Sequence, residues 1–168
     1  MTAMSRSPLA TPSGWTEYGT GYAGSDGTLH VYYKFAGGSE PSSYAWTRSG
    51  AGIIGSIYRI SGANTTTPIQ LKSGSTGNAT ARSHSGVTTT VANALVLWWT
   101  NANATLSGSL SGWTSCGDGT YAQATDDGDA YINGFRRAYA SAGATGSLSV
   151  NSASSALFMT MAIVINPV

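Results

Sequence analysis

The chain has 168 residues, of which 41% are hydrophobic and 9% charged, with eight Lys and Arg against seven Asp and Glu for a net charge of +1. This length fits one domain with a proper core, while the charged share is far below the ~25% of ordinary globular proteins. Arg136-Arg137 is the only adjacent basic pair, which excludes a phosphate-binding, nucleic-acid surface built on clustered cations; a charge-poor surface suits neighbouring subunits or neutral sugars instead.

Residues 1–13 (MTAMSRSPLATPS) are polar, carry Arg6 and two prolines, and read as an extended arm that docks on a neighbouring chain. Residues 14–168 then form one domain of strands separated by turn signals. Thr28 to Ala36 alternates, with Leu29, Val31, Tyr33 and Phe35 on one face and His30, Tyr32 and Lys34 on the other, the period of a half-buried strand. GGSEP (37–41) is a turn, followed by strands over 42–48 and 53–61. Residues 62–86 are irregular and rich in Gly, Asn, Thr and Ser, with a short strand at 68–71.

Further strands are expected at 87–91, 94–101, 113–116, 120–125, 130–140 and 147–150. The last, Ser154 to Ile165, is apolar on both faces, so it is buried on both sides or central in its sheet. Trp98 and Trp99 are adjacent in a strand and must point to opposite faces, so one of them is expected on the outer face or covered by another chain. No segment shows a capped apolar stripe at helical spacing. The fold class is all-β: an antiparallel β-sandwich, jelly-roll-like, with a short N-terminal arm.

Catalytic chemistry finds little purchase. His30 lies on the polar face of a strand, and His84 sits between Ser83 and Ser85 without an orienting acid in sequence. Glu17, Asp26 and Glu40 lie in or near turns, where acids are normally solvated, so paired carboxylates for glycoside hydrolysis are not expected. The densest acidic cluster, Asp126-Asp127-Gly128-Asp129, is a weak calcium candidate through Asp126, Asp127 and Asp129. A hairpin turn between strands explains it as well, because Asp-Gly is a favoured hairpin turn. No cofactor is expected, and the chain reads as non-enzymatic.

Cys116, the only cysteine, allows no intrachain disulfide and reads as a small buried thiol. Sequons at Asn64, Asn78 and Asn103 are chance matches in a Thr-rich chain. Met1 to Ala10 lacks the apolar stretch of a signal peptide, and the longest apolar run, Ala94 to Trp99, is too short to span a bilayer. Aromatic residues are the remaining asset. Trp113, beside a loop, is the favoured exposed ring, with Tyr121, Trp98, Trp99 and Arg6 as further contacts to partners or glycans.

The order of elements carries a resemblance. PSGWTEYGTGYAG is followed by TLHVYYKFAGGSEPSSYAWTRSG, then GSIYRISGANTTTPI and VTTTVANALVLWW. Over residues 12–100 this resembles a β-sandwich module of bacteriophage virion proteins of the capsid-decoration and tail-fibre type, found also in some bacterial surface proteins, departing from it at Arg59-Ile60-Ser61. The resemblance implies a virion protein made in the host cytoplasm and assembled with capsid or other virion proteins. It also implies a homo-oligomer, a trimer being one form, and carries over no catalytic residue. Two functions are expected from it: a capsid decoration, cement or spike protein that clamps shell subunits, or a receptor-binding module recognising host surface glycans.

Overall fold

The computed structural model describes residues 2–5, 9–24, 27–48, 53–121 and 130–168. In chain order the strands are β1 (Thr2–Ser5), β2 (Leu9–Ala10), β3 (Thr16–Glu17), β4 (Tyr22–Gly24), β5 (Gly27–Tyr33), β6 (Thr47–Arg48) and β7 (Ile53–Ser56). They continue as β8 (Ile69–His84), β9 (Thr88–Thr89), β10 (Ala94–Ala102), β11 (Thr114–Tyr121), β12 (Ala130–Tyr139), β13 (Gly143–Ala144) and β14 (Leu148–Ile165). All pairings are antiparallel, and the described residues contain no helix. The fold is an all-β sandwich.

The larger sheet runs β11-β12-β10-β14-β8, and the smaller runs β3-β5-β1-β7 with β4 also on β5. The alternation of β10 and β14 sets where the cores lie. Leu97, Trp99, Met159, Met161, Ile163 and Ile165 face the smaller sheet, where they meet Leu29, Val31 and Ile54. Val96, Trp98, Ala162 and Val164 point the other way, into a second cluster with Phe135, Leu148 and Val150. A strand apolar on both faces is thus buried on both faces, as expected for β14.

The second cluster is roofed by the chain itself. The β8–β14 ribbon pairs from Ile69↔Ile165 to His84↔Leu148, but residues 152–155 stand opposite Thr80 alone between the Asn151↔Ala81 and Ala156↔Ala79 pairs. Such a bulge bends and twists both strands. Leu148 and Val150, at one end of β14, therefore reach the same cluster as Ala162 and Val164 at its other end. Residues 105–107 are stitched on by Ser107 N–H to Asn151 O and Ala153 N–H to Thr105 O, both 2.9 Å.

Arg82 holds this corner. It is fully buried; its Nε donates to Ser152 Oγ at 3.0 Å, one terminal nitrogen to Asn133 Oδ1 at 3.3 Å and the other to Ala104 O. Ser152 Oγ in turn donates to Thr80 O at 3.0 Å. One guanidinium thus joins the bulge, the 103–107 loop and β12. Burial lowers its pKa to about 10, so it remains a cation at neutral pH.

Several expectations are corrected. Residues 2–5 of the extended arm, expected to dock on a neighbouring chain, pair within this chain: β1 lies between β5 and β7, with Ala3 opposite both His30 and Gly55. Residues 69–84, expected to be irregular apart from 68–71, form one sixteen-residue strand. The strands expected at 147–150 and 154–165 are one, β14. Trp98 and Trp99 do point to opposite faces, yet both are buried, at 0% and 1% exposure, because the folded ribbon covers the face that would otherwise be outside. Neither offers a surface for partners.

Candidate functional site

The residues of the segment Lys34 to Trp46 build one rigid unit. Its turn, Gly37 to Pro41, is closed by Glu40, whose Oε1 accepts the Gly37 N–H at 2.5 Å. Glu40 Oε2 accepts from Lys34 Nζ at 2.6 Å and from the Tyr44 hydroxyl. Lys34 also stands over the Tyr44 ring at 5.2 Å. With three donors on it, the Glu40 carboxyl is lowered to about 2, the hydrogen bond from Lys34 contributing most. The pair is charged but internally neutralised.

Behind this turn stands a cluster of aromatic rings. Trp15 meets Tyr44 edge-on at 5.2 Å and Trp46 at 5.4 Å, and Trp46 leans on Tyr32 at 4.8 Å. Tyr32 is buried and stacks on His30 at 5.9 Å; His30 Nδ1 lies 2.7 Å from Glu17 Oε1. Trp15, Tyr44 and Trp46 are half-buried, so the cluster reaches from core to surface.

Between this unit and β7 lies a groove of about 570 Å³. Pro41, Tyr44, Trp46 and Ile57 form its apolar wall, and Ser42 and Ser43 supply hydroxyls, while the Ser56 hydroxyl is bonded to Tyr58. Ile57 is 58% exposed. A smaller cleft of about 130 Å³ opens between the two sheets, walled by Trp15, Tyr33, Phe35, Tyr58 and Trp99. Tyr58 is fixed there: its hydroxyl accepts from Trp99 Nε1 at 2.7 Å and donates to Cys116 O at 2.8 Å.

The other candidates do not converge on this groove. Trp113 is half-buried, packs on the second core with Leu110, and meets the Tyr139 ring at 6.3 Å. Tyr121 ends β11 opposite Ala130; the hairpin turn expected around 126–129 lies outside the described residues. Arg6, Asp26 and the calcium candidates Asp126, Asp127 and Asp129 lie outside the described residues. Among the described residues, no three His, Cys, Asp or Glu side chains gather as a metal site. Asn64, one of the sequon residues, has a structural task, its Oδ1 accepting the Thr66 and Thr67 N–H groups.

Neither Tyr44 nor Trp46 is among the contact residues expected from sequence, where Trp46 reads as part of the core or its edge. The signal was present in YYKFAGGSEPSSYAW, where Lys34, Glu40, Tyr44 and Trp46 fall at spacings that only a folded-back turn brings together. Compared with known protein families, curated proteins and solved structures, the chain matches none.

Proposed function

We propose that this chain is a non-enzymatic structural protein of a phage virion, of the capsid-decoration or spike kind, which holds neighbouring subunits by surface contact. The observation that best supports this is the outer edge of β8. This strand pairs with β14 on one side and with no described strand on the other. From Ser73 to Ala81 (SGSTGNATA) it carries no charge and no proline. Isolated proteins usually guard a long edge with such residues, because its free N–H and C=O groups template another strand. A strand of a neighbouring copy or of a shell protein would complete it, and repetition over a symmetric particle multiplies a modest contact into a firm one.

The test is stoichiometry and location. Density-gradient-purified particles should carry many copies per shell, and Asn78→Lys with Thr80→Lys, both at exposed positions, should release the protein from them. A handful of copies confined to the tail would overturn the decoration reading.

The second reading is recognition of host surface glycans, with the chain as a receptor-binding module. The aromatic-walled groove favours it. The two readings are compatible on one molecule, since the groove lies on the smaller sheet and the open edge on the larger.

A further inference from the structure

We propose that the groove between residues 41–46 and β7 binds an uncharged oligosaccharide, with Tyr44 and Trp46 as the stacking wall and Ser42 and Ser43 as the polar rim. This rests on the glycan reading and specifies its site and ligand class.

Size, surface chemistry and charge all bear on the choice of ligand. At about 570 Å³ the groove falls within the ~300–1,000 Å³ of small-ligand sites. Its lining alternates between ring or aliphatic surface and hydroxyls. A sugar ring has that same duality, with C–H groups on its faces and hydroxyls around its edge. Aromatic side chains accept the faces, while Ser hydroxyls both donate and accept toward the edge. A purely apolar ligand would strand the serines.

Lys34 and Glu40, the charged groups of the turn that carries the wall, are bonded to each other at 2.6 Å. With Glu40 further held by Gly37 N–H and Tyr44, neither charge is left to select an ionic ligand. The wall is also preorganised. Trp46 is wedged between Trp15 and Tyr32, and Tyr44 is fixed by Trp15, Lys34 and Glu40. Rings already immobile lose little freedom on binding. Ile57, 58% exposed on the wall, is the large aliphatic side chain that a bound sugar would cover.

The experiment uses the intact protein on an array of bacterial surface polysaccharides, neutral and acidic. Each hit is then titrated as a defined oligosaccharide, followed by tryptophan fluorescence and by the indole N–H resonances. At least one neutral glycan should saturate the signal and shift the Trp46 resonance. Tyr44→Ala should weaken it at least tenfold. Ile57→Lys fills the groove from an exposed position without touching the core, and should do the same at an unchanged melting temperature. Neutral glycans binding equally well to both variants would overturn the site while the glycan reading stands. Binding of acidic glycans alone would overturn the ligand class, and no saturable binding anywhere on the array would overturn site and reading together.

Discussion

His84 places Nε2 3.1 Å from the carbonyl oxygen of Ser73, eleven residues earlier on the same strand. In a straight strand eleven residues span about 36 Å, so this contact measures how sharply the β8–β14 ribbon doubles back. The ring's tautomer follows from its partners. Gly86 N–H donates to Nδ1 at 2.9 Å, which leaves Nε2–H to donate to the carbonyl. A protonated ring would carry hydrogen on both nitrogens and lose the Gly86 bond.

The first prediction concerns acid. Burial holds the His84 imidazole below its usual pKa of 6.5, so the folded state favours the neutral ring. The unfolded chain takes up this proton first as pH falls, so stability is complete above about pH 6.5 and declines below it. The urea midpoint should fall between pH 7 and pH 5. His84→Gln should flatten that slope while lowering the midpoint at pH 7. Equal slopes in the two proteins would mean another group is responsible.

Arg82 is the second. Truncation to Ala removes a cation that serves Ser152, Asn133 and Ala104 at once and leaves their oxygens buried. The loss should be about 3 kcal/mol or more, each unsatisfied buried acceptor costing ~1–3 kcal/mol. Arg82→Lys keeps the charge but not the fork, so it should lie between Ala and wild type in urea unfolding. A Lys variant as stable as wild type would show that the charge and not the fork matters.

The two neighbouring tryptophans make the third, as an internal control. Both rings are fully buried, so replacement by Phe removes similar volume from each core. They differ in one bond: Trp99 Nε1 donates to Tyr58, whereas Trp98 Nε1 has no hydrogen-bond partner among the described residues. Trp99→Phe should therefore cost about 1 kcal/mol more than Trp98→Phe. The excess should vanish in a Tyr58→Phe background, read from thermal or urea unfolding.

Gly134 supplies the fourth. It lies in β12 opposite Trp99, and a Cβ there would overlap the Cys116 carbonyl and the Tyr58 hydroxyl. One of these is backbone and cannot swing aside. Gly134→Ala should destabilise by about 1–3 kcal/mol, the usual range for overpacking, and shift the Tyr58 ring signals. Unchanged stability would mean that β11 yields at its bulge between Ser115 and Asp118.

The strands with alternating apolar residues were legible in the sequence. β10, β12 and β14 fall within a residue or two of expectation, apart from the joining of 147–150 to the rest of β14. β8 was hidden because an edge strand of Ser, Gly, Thr and Asn shows no hydrophobic period; its partner, not its own side chains, makes it a strand. The pair Trp98-Trp99 revealed opposite faces but not that both faces are covered, since that depends on a bend some fifty residues away at 152–155. The groove was half-written. Lys34, Glu40, Pro41, Tyr44 and Trp46 stand in the motif, but the ion pair and ring contacts that unite them arise only when the turn closes.

The doubled ribbon also sets a clock. The Asn166 side chain bonds Thr67 O across 99 residues of chain, and both apolar clusters draw residues from β14. Neither can close until residues 148–165 are available, although the pairings of the smaller sheet lie within residues 2–56. Folding dominated by such distant pairings is slow. During that interval residues 69–84 lack the partner that makes them a strand, and the rings of Trp98 and Trp99 are uncovered, which makes the unfinished chain, more than the finished protein, the state that proteases and misassembly would find.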